Sequence, residues 1–269
     1  MANDGTLLFE QWWRPVAETK AVLVIVHGIA EHSGRYAYVA NYMGGHGYAV
    51  ATFDLRGHGH SEGDRAYVRS FDEYLSDLDQ FLARVREQEP GKAIFLLGHS
   101  MGGTIIALFA ITRQPDLGGL ILSAAAIKLS EDISPLLVRL SPIIGRIAPK
   151  LPTIKLDSAL MSRDPQVVQK YDSDPLVYRG GTLARTGAEL TAAMRRIQAN
   201  IEAIKLPLLI VHGTDDGLAN VEGSKELYAR AGSSDKTLKL YEGFYHEVLN
   251  DPEKARVFDD IVQWLEAHV

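Results

Sequence analysis

The stretch Ala93-Ile94-Phe95-Leu96-Leu97-Gly98-His99-Ser100-Met101-Gly102 joins an apolar run to a Gly-x-Ser-x-Gly pentapeptide. The run Ala93–Leu97 has the length and continuity of a strand buried on both faces, and a helical pattern begins near Gly102. Between them, two glycines let the chain turn sharply and lift the serine hydroxyl out of the sheet edge. A pentapeptide of this kind arises often by chance. The strand before it and the helix after it make the match specific, against the plainer reading of a glycine-rich packing turn.

Similar apolar runs lie on either side, at Ala21–Val26, Tyr48–Phe53 and Leu206–Val211, with shorter ones at Leu120–Ser123 and Thr237–Tyr241. Helical patterns separate them at Phe71–Glu89, Gly102–Thr112, Val221–Ala231 and Pro252–Ala267. Strand and helix in alternation predict an α/β chain with a mostly parallel, doubly wound sheet. The alternation fails between residues 126 and 190, where Pro135, Pro142, Pro149, Pro152, Pro165 and Pro175 interrupt apolar pieces. An inserted helical cap over 126–190 is expected there, on a core formed by 1–125 and 191–269. Within it, Ile133, Leu136, Leu137, Leu140, Ile143, Ile144 and Ile147 recur at helical spacing, with Arg139 and Arg146 among them. That stripe is either core or the apolar face of a lid.

With 269 residues, 46% of them hydrophobic, the chain suffices for one well-buried catalytic unit with an insertion. A net charge of −6 gives no basic field for a nucleic acid. Without cysteine there is no thiol nucleophile, disulfide or thiolate metal site. The Met1-Ala2-Asn3-Asp4-Gly5 start lacks the basic and apolar regions of a secretory signal. No apolar run reaches the roughly 18 residues of a membrane span. A cytoplasmic protein is expected.

A serine hydroxyl attacks only with a base in reach, and the base needs an acid to orient it. In sheets carrying such a turn, the chain order is serine, acid, histidine. The run Leu206–Val211 is followed by His212-Gly213-Thr214-Asp215-Asp216, and Thr237–Tyr241 by Glu242-Gly243-Phe244-Tyr245-His246. His246 is the candidate base, because His268, the other histidine beyond the acid loop, stands beside the carboxyl terminus. Asp215 and Asp216 both fit the acid by spacing. The oxyanion donors expected are the amide of Met101, after the nucleophile, and that of Ile29 in the early His27-Gly28-Ile29 loop.

These residues, with three further stretches, resemble the monoacylglycerol lipases, within the lysophospholipase-like and aminopeptidase-like serine hydrolases of the α/β-hydrolase fold. The matching strings are His27-Gly28-Ile29-Ala30-Glu31-His32-Ser33-Gly34-Arg35-Tyr36, Gly57-His58-Gly59-His60-Ser61-Glu62-Gly63, the Gly98–Gly103 turn, Tyr171-Asp172-Ser173-Asp174-Pro175-Leu176, His212–Asp216 and Tyr245-His246. They run in order along nearly the whole chain. The resemblance implies a Ser100, Asp216 and His246 triad, choosing Asp216 over Asp215, with the Ile29 and Met101 amides as oxyanion hole. It implies a lipophilic cap, a small monoacylglycerol substrate, no cofactor or metal, and no particular oligomeric state; contact of the cap with a membrane surface follows instead from reading the apolar stripe as the face of a lid. It places Glu31, Arg35, His99 and Tyr171 near the glycerol head, although Glu31 and Arg35 also suit a structural ion pair. The chain departs from the family at Ile29, where a small residue is common.

The same triad serves lysophospholipases, carboxylesterases and peptidases, and a related scaffold without turnover would be a binding protein. A metal hydrolase is suggested only by His58-Gly59-His60. The carboxylate and histidine that would complete such a site are missing just downstream, so this string is expected to form a surface turn.

Overall fold

The computed structural model describes residues 2–129 and 134–269. Ile133 of the expected stripe lies outside them. Seven strands form one sheet: β1 (Glu10–Trp13), β2 (Val22–Val26), β3 (Ala49–Phe53), β4 (Ile94–His99), β5 (Gly119–Ser123), β6 (Leu208–Gly213) and β7 (Lys236–Tyr241). The spatial order is β1-β3-β2-β4-β5-β6-β7. Every pairing is parallel except β1 against β3.

The four central strands and β3 are buried along their whole length, which is why they read as unbroken apolar runs. Alternate side chains go to opposite faces. Val22, Val24, Leu96, Leu122 and Ile210 join one core, whereas Leu23, Ile25, Leu97, Ile121 and Val211 join the other. The first core is covered by α2 (Phe71–Gln88) and α3 (Met101–Arg113), the second by α1 (Ala37–Gly45) and α8 (Lys254–Glu266). Helix α7 (Val221–Arg230) adds Leu227 to the first.

Between β5 and β6 lie α4 (Pro135–Ile147), α5 (Pro165–Ser173) and α6 (Ala184–Gln198). The core boundary expected at residue 190 falls inside α6. That helix is continuous because its first turns pack on α4, where Gly145 approaches Ala188, while Ala193 and Ile197 further along join the sheet core. Helix α4 is apolar on two faces. Val138 and Ile144 face a cavity, and Leu136, Ile143 and Ile147 are exposed at 64%, 56% and 78%. Among the described residues, no helix is long and apolar enough to cross a membrane.

Candidate active site

Ser100 stands between the end of β4 and the first turn of α3, with φ 52° and ψ −118°. Such left-handed backbone costs a residue bearing a Cβ on the order of 1–3 kcal/mol, so the surroundings must enforce it. They do so through the Ser100 amide donating to the Ser123 carbonyl at 3.0 Å and the Ala126 amide donating to the Ser100 carbonyl at 3.1 Å. The glycines provide the room. A Cβ on Gly98 would sit 2.5 Å from the Gly102 carbonyl oxygen, and one on Gly102 would overlap the Val26 carbonyl oxygen. The turn is therefore wedged between β2, β4 and β5, at the carboxyl edge of the sheet where open α/β sheets bind ligands.

His246 reaches this edge from the loop after β7, and Asp216 from the loop after β6. The His246 Nδ1 and Asp216 Oδ2 lie 2.8 Å apart. That bond commits Nδ1 to the acid and leaves Nε2 as the ring atom able to take a proton. Asp216 Oδ1 accepts from the Leu218 and Ala219 amides, each at 2.8 Å, and His212 Nε2 lies 3.0 Å from Oδ2. Ser224 Oγ, 2.7 Å from His212 Nδ1, orients that second imidazole. Burial pushes the Asp216 carboxyl up, but His246 and His212 together bring it far below the usual carboxylate range. Asp215, one residue earlier, is exposed, and among the described residues its carboxylate accepts a hydrogen bond only from Thr214. Geometry thus separates the two neighbours that spacing left equal.

Burial lowers the His246 imidazole; the Asp216 charge and hydrogen bond, then Glu247 and Glu31, outweigh it and raise the pKa. The His99 ring lies 4.8 Å from that of His246. Burial and the neighbouring His246 hold His99 down to about 4, so it stays neutral beside the base. His268, by contrast, stacks on Trp264 at 4.2 Å.

The amide of Met101 opens α3 and has no acceptor within the helix. The Ile29 amide donates to no backbone carbonyl among the described residues. The loop that carries Ile29 is held by a buried neutral histidine: His27 Nε2 accepts from the Leu55 amide at 2.9 Å and Nδ1 lies 2.7 Å from the Gly28 carbonyl. Burial lowers that imidazole, which fits a ring with one donor and one acceptor nitrogen.

Ser100, His246, Ile29, His99, Glu31, Arg35 and Tyr171 line one cavity of about 390 Å³. Val138, Ile144, Leu156, Leu190, Met194 and Leu218 give the same cavity an apolar lining. Four residues expected near a glycerol head are thus brought together, but two of them have other partners. Arg35 Nη1 donates to Glu31 Oε2 at 2.7 Å, and the fork of Arg35 meets both oxygens of Glu247 at 2.8 Å. The ion pair foreseen as the alternative is present, and sequence reading missed its third member. The signal was an acidic residue immediately after the candidate base. His212 and Ser224 were missed as partners of the acid as well: the sequence sets His212 in the loop after Leu206–Val211, whereas it lies within β6 with its ring turned to Asp216 and Ser224.

The His58-Gly59-His60 string is not the surface turn expected. With Gly57 and Gly59 at φ 71° and 51°, the chain folds His58 inward to 1% exposure, where its ring meets His27 at 5.5 Å. His60 is exposed and packs edge-on to Phe9. The two rings diverge, and among the described residues no group of three or more His, Asp or Glu side chains is placed to hold a metal.

A family model described as serine aminopeptidase, S33, matches residues 17–253. A monoacylglycerol lipase of Mycolicibacterium smegmatis is 37% identical over 98% of this chain and 95% of its own. The monoglyceride lipase of Homo sapiens is 36% identical over 97% and 88%. The crystal structure of a Paleococcus ferrophilus monoacylglycerol lipase superposes with a TM-score of 0.89 at 34% identity, covering 98% of this chain and all of that one. Sheet order, serine turn and end-to-end similarity agree: the chain belongs to the serine aminopeptidase (S33) family of α/β-hydrolases, in the group that holds the monoacylglycerol lipases.

Proposed function

We propose that the protein hydrolyses monoacylglycerols to a fatty acid and glycerol through an acyl-enzyme on Ser100, without metal or cofactor. The observation that carries this reading is one cavity with two chemistries: Ser100, His246 and polar residues share its lining with a larger set of apolar side chains. Ser100 Oγ attacks the ester carbonyl while its proton passes to His246 Nε2. The Ile29 and Met101 amides take the oxyanion, a donor of this kind being worth roughly 100- to 1,000-fold in rate. His246 then gives the proton to the leaving glycerol oxygen, and a water activated by the same imidazole releases the acid. His99 and Tyr171 stand at the alcohol end, walled by Glu31 and Arg35, and the acyl chain lies along the apolar lining.

The test is a substrate panel with the intact protein: monoacylglycerols of rising chain length beside diacylglycerol, lysophospholipid, a simple ester and a peptide amide. Preference for monoacylglycerols is expected, with kcat/KM rising over the first several methylenes as each gains burial. Activity confined to lysophospholipid or peptide would move the protein to a neighbouring group with the same chemistry.

Residues 126–190 act in this reading as the cap, α6 being shared with the core. The exposed Leu136, Ile143 and Ile147, flanked by Arg139 and Arg146, form a face suited to a membrane surface around a cytoplasmic protein. Replacing Ile143 and Ile147 together by Asp is expected to abolish cosedimentation with lipid vesicles while sparing turnover of a short, soluble ester. Unchanged cosedimentation would rule out this contact.

A further inference from the structure

Resting on the reading of Ser100 as nucleophile, we propose that Glu247 is a positioning residue: through Arg35 and Glu31 it ties the oxyanion loop at Gly28-Ile29 to the loop of His246. The connection is an unbroken series of hydrogen bonds. The Gly28 amide donates to Glu31 Oε1 at 2.6 Å, and Tyr36 donates to the same oxygen at 2.8 Å. Glu31 Oε2 holds Arg35, and the Arg35 fork holds Glu247 on both oxygens. Glu247 is clamped in turn by Asn250 Nδ2 at 2.7 Å, and its own amide donates to the Met161 carbonyl at 2.7 Å. The preceding residue is His246. Two loops from opposite ends of the chain are thereby fixed in relative position over Ser100.

Stability alone does not account for such a network. Glu31 and Glu247 are 4% and 5% exposed, and buried ion pairs commonly gain nothing over apolar side chains of the same volume. What the bidentate fork supplies is fixed geometry, because a planar guanidinium meets a carboxylate in one orientation. Displacement of catalytic groups by about 1 Å costs about 100-fold in rate. The trio also carries one net negative charge beside the base. The groups facing His246 are Asp216 from the β6 loop, His99 from the serine turn, Glu247 beside it, and Glu31 with Arg35 from the loop after β2. Burial pushes the Glu31 carboxyl up, but Arg35 and the other neighbours bring it down to about 2, so the charge persists at neutral pH.

The experiment is the second-order rate at which a fluorophosphonate labels Ser100, measured from pH 5 to 9. Labelling forms the Oγ–P bond, breaks P–F, and sends the serine proton through His246 to solvent as fluoride departs. It needs the base and the oxyanion hole but not the natural substrate. Glu247→Gln keeps the side-chain shape and removes the charge. Its plateau rate is expected to fall about 10- to 100-fold, and its acid limb to move down by about half a pH unit, since a lost anion favours neutral imidazole. Arg35→Lys keeps the charge without the fork, so its plateau falls while the limb stays. A merely structural role would lower the melting temperature and leave both readouts at wild-type values per labelled site. Either variant matching wild type in plateau and limb overturns the proposal, and Arg35→Lys decides alone if Glu247→Gln does not fold. Wild type that fails to label would instead sink the reading of Ser100, and this proposal with it.

Discussion

Ser100→Ala is expected to lower kcat/KM for a monoacylglycerol by roughly 10⁴- to 10⁶-fold, as loss of the nucleophile does where serine, histidine and acid act as a unit. Fold is expected to survive. Alanine carries the same Cβ as serine, so the strain at φ 52° is unchanged, and the hydrogen bonds that enforce the turn are made by backbone atoms. A melting temperature within a degree or two of wild type, together with lost turnover, is the anticipated pair of results. Turnover within tenfold of wild type would show that the chemistry runs through another group.

Asp216→Asn comes next in size, with an expected loss of roughly 10⁴-fold in kcat. The amide would donate toward His246 Nδ1 instead of accepting from it, fixing the tautomer that cannot take the serine proton. His212 would lose its charged partner at 3.0 Å at the same time. Asp215→Asn is the matched control: replacing an exposed carboxylate that accepts from the neighbouring Thr214 should change kcat by less than about twofold. Equal losses at the two positions would contradict the assignment that the geometry makes. A steady-state comparison of both variants on one soluble ester is sufficient.

Much of this fold was legible because its central strands are buried on two faces, which writes them as continuous apolar runs. Strand β1 escaped for the opposite reason: Glu10-Gln11-Trp12-Trp13 is a half-buried edge pairing antiparallel to β3, and half its residues are polar. Helix α1 escaped because Ala37–Gly45 ends in two glycines and has little contrast between its faces. The stripe on α4 gave the helix but not its role, since apolar residues on two faces suit a core and a lid equally. Near Ser100, one-dimensional spacing found the serine and histidine and left two adjacent aspartates tied. The resemblance to a known family favoured Asp216, and the placement of the loop after β6 gives the physical reason, with Asp216 turned inward and Asp215 outward. His58 was misjudged because flanking glycines suggest exposure, whereas here their positive φ angles fold the ring into the core.

The most direct measurement is mass spectrometry of the protein quenched within milliseconds of mixing with a long-chain monoacylglycerol. One acyl group on the peptide containing Ser100, absent in Ser100→Ala and lost as fatty acid is released, is the predicted result. Product formation with no acylated Ser100 at any time, or with the acyl group on another residue, would contradict the proposed mechanism.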